Sequence, residues 1–302
     1  MMSRQHHLIL KLNEHSGWIS LLSGILAALI VLGLYSKNTN SAFKLPWIML
    51  IMALPVMGLS LYLMTQLLGT SRYTKKKLKE VRKEIQAAIA TDSIVPDDIC
   101  VAGQMRYLQK HGNHPVFSGT SVTYYPQATQ ALEDMLEALE KAENFIFMEY
   151  FIVDNGEAFQ KIREILVRKV QTGVEVRLMY DDFGSIGYVN LEFARELNRQ
   201  GIQCRVFNPA MPILNLFMNH RDHRKIAVID GKVAFTGGYN LADEYFDLAR
   251  PYGHWKDTGI RLEGDSVQSM TAAFLELWCV TARKDENFER YLTIAHSVPA
   301  QG

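Results

Sequence analysis

Cysteine is scarce in this 302-residue chain: Cys100, Cys204 and Cys279 lie far apart, with no C-x-x-C pair among them. That scarcity excludes a disulfide framework and a cysteine-rich zinc site, and the three read as small buried hydrophobes in a reducing compartment. The nine histidines form no ligand-like cluster either, so the sequence implies no metal and no other cofactor. Net charge is absent overall, with 32 basic against 32 acidic residues, but the balance is uneven. Residues 1–94 hold 11 basic and 4 acidic residues, and residues 95–302 hold 21 and 28, a net of −7. A portion of that sign is a poor general binder of phosphate backbones, and no nucleic-acid partner is expected. No internal repeat is visible over residues 115–302.

Charge is also missing from two long apolar runs, residues 16–36 (SGWISLLSGILAALIVLGLYS) and residues 45–68 (LPWIMLIMALPVMGLSLYLMTQLL). Each is long enough to cross roughly 30 Å of hydrocarbon as a helix. The first is longer than a signal-peptide core and has no A-x-A-like cleavage site after it, and a second run follows at once. Trp18, Tyr35, Trp47 and Tyr62 stand near the ends of the runs, where amphipathic rings settle at headgroup level. Residues 1–72 are therefore expected to form a membrane hairpin. Seven basic residues between Arg72 and Lys83 follow it and place the rest of the chain on the cytoplasmic side of a multi-pass cell-membrane protein.

Residues 73–114 read as a basic juxtamembrane helix and a linker. Leu78, Val81, Ile85 and Ile89 recur at helical spacing among lysines, as on an interfacial helix or a solvated stalk, before the break at TDSIVPDD. From about residue 115 strands and helices alternate. VTYY, FIFMEYFIV, VEVRLMYD and QCRVF read as strands, and residues 128–142, 156–172 and 188–200 as helices. Buried apolar strands alternating with helices predict an α/β sandwich with a mainly parallel sheet covered by helices over residues 115–302. KIAVIDGKVAFTG departs from that alternation, because Asp230-Gly231 between two β-rich runs is a hairpin turn.

At the entrance of that hairpin His223, Lys225 and Asp230 are spaced H-x-K-x4-D. Cleaving a phosphodiester without a metal requires a nucleophile, cationic stabilisation of the phosphoryl oxygens and an acid for the leaving alkoxide. An imidazole, with an ordinary pKa of about 6.5, suits the first and last tasks. On an extended segment the i, i+2 spacing turns Lys225 to the same face as His223, where its ammonium can hold a phosphate oxygen. Gly237 and Gly238 allow close backbone approach to a substrate, and the Asn240 amide can donate to a phosphate oxygen. Asp230 sits in the turn, where an architectural role is natural. Glu149, inside an apolar strand, needs a partner, for which Arg224 or Lys225 is placed; a structural pairing and a substrate contact both remain open.

NHRDHRKIAVIDGKVAFTGGYNLADEYF resembles the first catalytic motif of the phospholipase D superfamily, and its wording is closest to bacterial cardiolipin synthases. FIFMEYFIVDNGE, EVRLMYDDFGS, GIQCRVFNP, HWKDTGIRLEGDSV and LPVMGLSLYLM resemble that family in its order, from about residue 45 to residue 282. The resemblance implies a phosphatidyltransferase that joins two phosphatidylglycerols into cardiolipin and releases glycerol through a phosphohistidine. It implies catalytic roles for His223, Lys225, Asp230, Asn240 and Glu244, the last as an acid that supports the site. Substrate contacts are expected from Gly237, Gly238, Glu149 and Arg224, with phosphatidylglycerol and anionic lipid as partners. Pro126, Gln127 and Ala128 stand where the family commonly has a glycine-containing turn. These synthases usually continue about as far again into a second H-x-K-x4-D half, and no second such motif occurs here. A homodimer or a separate C-terminal half is therefore expected to supply the other histidine. Phospholipase D-type hydrolysis, a homodimeric phosphodiesterase and a non-catalytic membrane partner or disrupted synthase fragment are the alternatives.

Overall fold

A computed structural model describes residues 2–38, 41–68, 72–89, 99–112, 115–117, 119–190, 192–209, 221–281 and 288–292. The chain divides into two compact units, Met1–Ser71 and Arg72–Gly302.

The first unit holds α1 (Met2–Ser36), α2 (Ser41–Ala53) and α3 (Pro55–Leu68). Ala27 and Leu34 pack with Ile51, Leu59 and Tyr62, and Trp47 meets Tyr62 edge-on at 5.6 Å. Trp18, Leu22, Leu29, Leu32, Met49 and Met52 point outward. The second apolar run is not one helix. Pro55, which has no N–H to continue the ladder, bends it so tightly that a Cβ on Gly58 would lie 2.7 Å from the Ile51 Cα. The resulting pieces of 13 and 14 residues are each about 20 Å long. Side chains in α1 are described at Gly17 and Trp18 and from Leu21 onward; among the described residues no helix is long and apolar enough to cross a membrane.

The second unit is built on one seven-stranded sheet. Its elements are α4 (Arg72–Ala88), α5 (Ile99–Gly112), β1 (Thr120–Tyr125), α6 (Ala128–Glu140), β2 (Phe145–Tyr150), α7 (Glu157–Gln171), β3 (Glu175–Asp181), α8 (Asp182–Ser185), α9 (Phe193–Arg199), β4 (Gln203–Phe207), β5 (Ile226–Ile229), β6 (Val233–Gly237), β7 (Gly259–Gly264), α10 (Val267–Thr281) and α11 (Glu289–Leu292). The strand order is β1-β7-β6-β5-β2-β3-β4. Only β2-β3 and β3-β4 are parallel; the other four pairings are antiparallel, so the sheet is mixed rather than mainly parallel. The reason is local. Asp230 (φ 54°) and Gly231 (φ 66°) make a turn with two positive φ angles, which matches strand twist and reverses β5 directly into β6.

Alternation along the strands feeds two cores. Ile146, Met148, Tyr150, Leu178, Ala227 and Ile229 meet α6, α7 and α9 on one face. Phe145, Phe147, Met179, Ile226 and Val228 meet α10 and α11 on the other. Helix α4 belongs to that second layer: Val81, Ile85 and Ile89 are buried in its core, and Arg82 donates two hydrogen bonds, at 3.1 and 3.0 Å, to Glu276 on α10. It is neither a stalk nor an isolated interfacial helix, because its apolar stripe already has a protein partner. Cys204 and Cys279 are buried, whereas Cys100 is exposed, contrary to the expectation for that residue.

Candidate active site

The groups singled out by the sequence gather at one end of the sheet, where β2, β3 and β6 finish and where β5 and β7 begin. Asp181 closes β3. Its carboxylate accepts from the Phe183 and Gly184 amides of α8, from Arg221 at 3.2 Å and from the Asp222 amide at 2.9 Å. Residues 221–225 make no ladder of their own, so these side-chain bonds hold the approach to β5.

His223 then stands exposed and Lys225 is buried, at 5% exposure. The Lys225 ammonium lies 3.2 Å from His223 Nδ1 and donates to the His223 carbonyl at 2.8 Å. Phe151, just past β2, brings both together: its ring centroid is 4.8 Å from the imidazole and 5.5 Å from Lys225 Nζ. Burial pushes the Lys225 ammonium down to about 8, and the charges of Asp222 and Asp257 only partly offset that. A partly desolvated ammonium beside an exposed imidazole can hold an anion, because a phosphoryl oxygen would restore the missing counter-charge.

Gly237 and Gly238 are required by close approach. A Cβ on Gly237 would meet the Tyr239 ring at 2.8 Å, and one on Gly238 would overlap the Asp257 carboxylate. The Gly238 amide donates to Thr258 at 3.1 Å, which joins this turn to the start of β7. Asn240 Oδ1 accepts from the Ile152 amide at 3.1 Å, which fixes the side-chain amide. Glu244, buried on the short helical turn Asp243–Phe246, accepts from Tyr188 at 3.1 Å. Burial and then Glu244 raise that phenol to about 12. Asp243 caps α7 instead, taking the Glu157 and Ala158 amides at 2.9 and 2.8 Å.

Three expected site residues are placed elsewhere. Asp230 follows β5 while His223 precedes it, so the two are separated by roughly 20 Å of extended chain. The Asp230 carboxylate accepts from the amides of Glu143, Asn144 and Phe145 at 2.8, 2.7 and 2.8 Å, and staples the hairpin to the start of β2. Arg224 and Glu149 lie on the α10 face. Arg224 donates to the Ala273 carbonyl at 2.8 Å, and its Nε stands 2.5 Å from Glu149 Oε1. Alternation turns Arg224 away from the side shared by His223 and Lys225.

With this geometry in place, the comparisons are specific. The family described as Cardiolipin synthase, PLD-like domain, matches residues 135–278, from α6 to α10. That match spans just under half of this chain. It is 38% identical over 278 residues to an uncharacterized protein of Streptococcus mutans, covering 90% of this chain and 60% of the relative. It is 29% identical over 269 residues to the cardiolipin synthase of Oceanobacillus iheyensis, covering 86% of this chain and 56% of that enzyme. The solved phospholipase D family member Nuc from Salmonella typhimurium aligns with 55% of this chain and 98% of its own at 18% identity, with a TM-score of 0.39. The chain spans little more than half the length of the curated relatives it matches.

Within this cardiolipin synthase-like domain, sequence reasoning missed Phe151, Asp257 and Tyr188. Asp257 had a readable signal, an acid two residues ahead of a glycine that begins a β-run. Phe151 and Tyr188 had none, since their contacts to His223 and Glu244 join segments far apart in the chain.

Proposed function

We propose that this chain supplies one half of a phosphatidyltransferase site that makes cardiolipin from two phosphatidylglycerols. The observation that carries this reading is the convergence of His223 and Lys225 over Phe151, 3.2 Å apart, at the sheet end where Asn240 and Glu244 also lie. In the proposed reaction His223 attacks phosphorus, the phosphorus–oxygen bond to glycerol breaks, and Lys225 holds the non-bridging oxygens. The glycerol alkoxide takes a proton from an acid. The hydroxyl of a second phosphatidylglycerol then gives its proton back to that group, attacks phosphorus and frees the imidazole. Among the described residues no other histidine hydrogen-bonds to His223 or Lys225; His254 is exposed beside Asp247. The acid is therefore proposed to be a histidine brought by another copy of the chain or by a separate C-terminal half.

A membrane setting is supported by the large apolar side chains that point outward on all three helices of the first unit. We place it in the lipid, with the basic segment after it on the cytoplasmic side. The test is to reconstitute the chain in phosphatidylglycerol vesicles at controlled oligomeric state and to separate the lipid products. Cardiolipin and glycerol are expected only when chains associate or a second half is added, and His223→Ala should abolish phosphatidyl labelling of the protein. Cardiolipin formed by monomers would refute the half-site, and a predominance of phosphatidic acid would make the enzyme a hydrolase.

A further inference from the structure

Beneath the phosphate-facing side of the site, the α10 face hides an arrangement the reaction does not use. Glu149 is fully buried on β2, and Asp222, the residue before His223, is nearly so. Arg224 faces both carboxyl groups: its Nε lies 2.5 Å from Glu149 Oε1 and 3.3 Å from Asp222 Oδ1, and its backbone amide donates to the same Asp222 oxygen at 3.2 Å. The neighbouring charges are engaged elsewhere. Arg221 is paired with Asp181, Arg82 from α4 is paired with Glu276 on α10, and Lys225, on the other side, feels the charges of Asp222 and Asp257 without a hydrogen bond to Asp222. One guanidinium thus serves two buried carboxyl groups. Among the described residues no donor bonds to either Glu149 oxygen or to Asp222 Oδ2; the short Arg224–Glu149 approach is not aligned as a hydrogen bond.

Two ionised carboxylates in that space repel each other and leave three acceptors without donors, a costly arrangement for buried groups. One added proton removes the repulsion and satisfies two of the three oxygens, because a neutral Glu149 carries an O–H donor for Asp222 Oδ2 while Asp222 stays charged for Arg224. Burial holds the Glu149 carboxyl well above the usual range; Arg224 opposes that and Asp222 reinforces it. We propose that Glu149 is a positioning residue that shares a proton with Asp222, and that the Glu149–Asp222–Arg224 clamp fixes the segment from which His223 and Lys225 reach the phosphate. The clamp is anchored at both ends, by Asp181 on the Asp222 amide at 2.9 Å and by the Ala273 carbonyl on Arg224 at 2.8 Å. It therefore takes the place of the strand hydrogen bonds that residues 221–225 lack.

Infrared spectroscopy of the full chain tests the shared proton without relying on the proposed reaction. A carbonyl stretch of a protonated carboxylic acid is expected at pH 7, absent in Glu149→Gln, unchanged in the exposed control Glu157→Gln, and shifted in Asp222→Asn. Absence of the band in the wild type, or its persistence in Glu149→Gln, would overturn the inference, as would indifference to Asp222→Asn. The positioning role rests on the proposed function and is read in kinetics. Glu149→Ala should lower kcat roughly a hundredfold, as misplacement by about 1 Å can, with KM little changed. Glu149→Gln, which keeps a donor for Asp222, should recover most of that loss. Folded Glu149→Gln as impaired as Glu149→Ala would refute positioning through the shared donor. If the chain transfers no phosphatidyl group, binding of inorganic phosphate, followed by phosphorus NMR, replaces kcat: weakened in Glu149→Ala and retained in Glu149→Gln if the clamp holds the site, equal in both if it does not.

Discussion

Lys225 gives the most direct access to the site through pH. Burial at 5% exposure brings its ammonium down from 10.5 to about 8, with Asp222 and Asp257 pulling the other way. The charged form is the one that holds a phosphoryl oxygen, so the competent fraction of free protein is about nine-tenths at pH 7, about half at pH 8 and about a tenth at pH 9. Because kcat/KM reports ionisations of the free enzyme, it should fall about tenfold per unit above pH 8, and kcat should hold to higher pH because bound phosphate stabilises the ammonium. Lys225→Arg should move the descending limb beyond the accessible range at some cost in geometry. Folding shows the opposite sign. The unfolded chain binds this proton more tightly than the folded one does, so the folded state is penalised below about pH 8 and the penalty fades as pH rises from 8 toward 10.5. Lys225→Met should therefore raise the melting temperature at pH 7 while abolishing transfer. The assay is a pH series of initial rates in phosphatidylglycerol vesicles, with melting curves of both variants. An alkaline limb that remains near pH 8 in Lys225→Arg, or a Lys225→Met protein less stable than wild type at pH 7, would refute the account.

Asp230→Ala should act on stability before chemistry: it leaves three amides at the start of β2 without their acceptor and puts alanine at φ 54°, a loss of roughly 3 kcal/mol or more in chemical denaturation. Asp230→Asn should cost less, since asparagine tolerates that backbone. Gly238→Ala should leave the melting temperature nearly unchanged but displace Asp257 and lower kcat/KM by roughly a hundredfold; unaltered kinetics would show that this turn does not shape the site.

The hairpin around Asp230-Gly231 was legible because a turn dipeptide between two β-rich runs constrains the backbone locally. The hand of the pairings was not. FIFMEYFIV is apolar but for Glu149 because β2 is covered on both faces, and that pattern is the same whether its neighbours run parallel, as β3 does, or antiparallel, as β5 does. The stripe Val81, Ile85 and Ile89 likewise specified a buried helix face but not what buries it; protein and lipid ask for the same residues. At the site, the spacing of His223 and Lys225 conveyed their shared direction, since alternation is a local property. The H-x-K-x4-D pattern also drew Asp230 into the chemistry, although this eighth residue of the pattern lies just past the far end of β5. Asp181 and Asp222 acquire their meaning from bonds that close across about forty positions of chain, and no window of sequence contains them.

The sheet order makes assembly on the ribosome a matter of waiting. Among the described residues β1, the first strand synthesised, pairs only with β7, the last, from Thr120 against Gly264 to Tyr125 against Gly259. Arg82 on α4 meets Glu276 across a separation of 194 residues. At roughly 5–20 residues per second, α4 remains without its partner for about 10–40 s after it is made. Throughout that interval the apolar stripe of α4, and for part of it an edge of β1, is open to wrong partners, and non-local closure of this kind is slow. Chaperone dependence during synthesis should therefore be governed by the arrival of β7 and α10, which follow His223 and Lys225 off the ribosome.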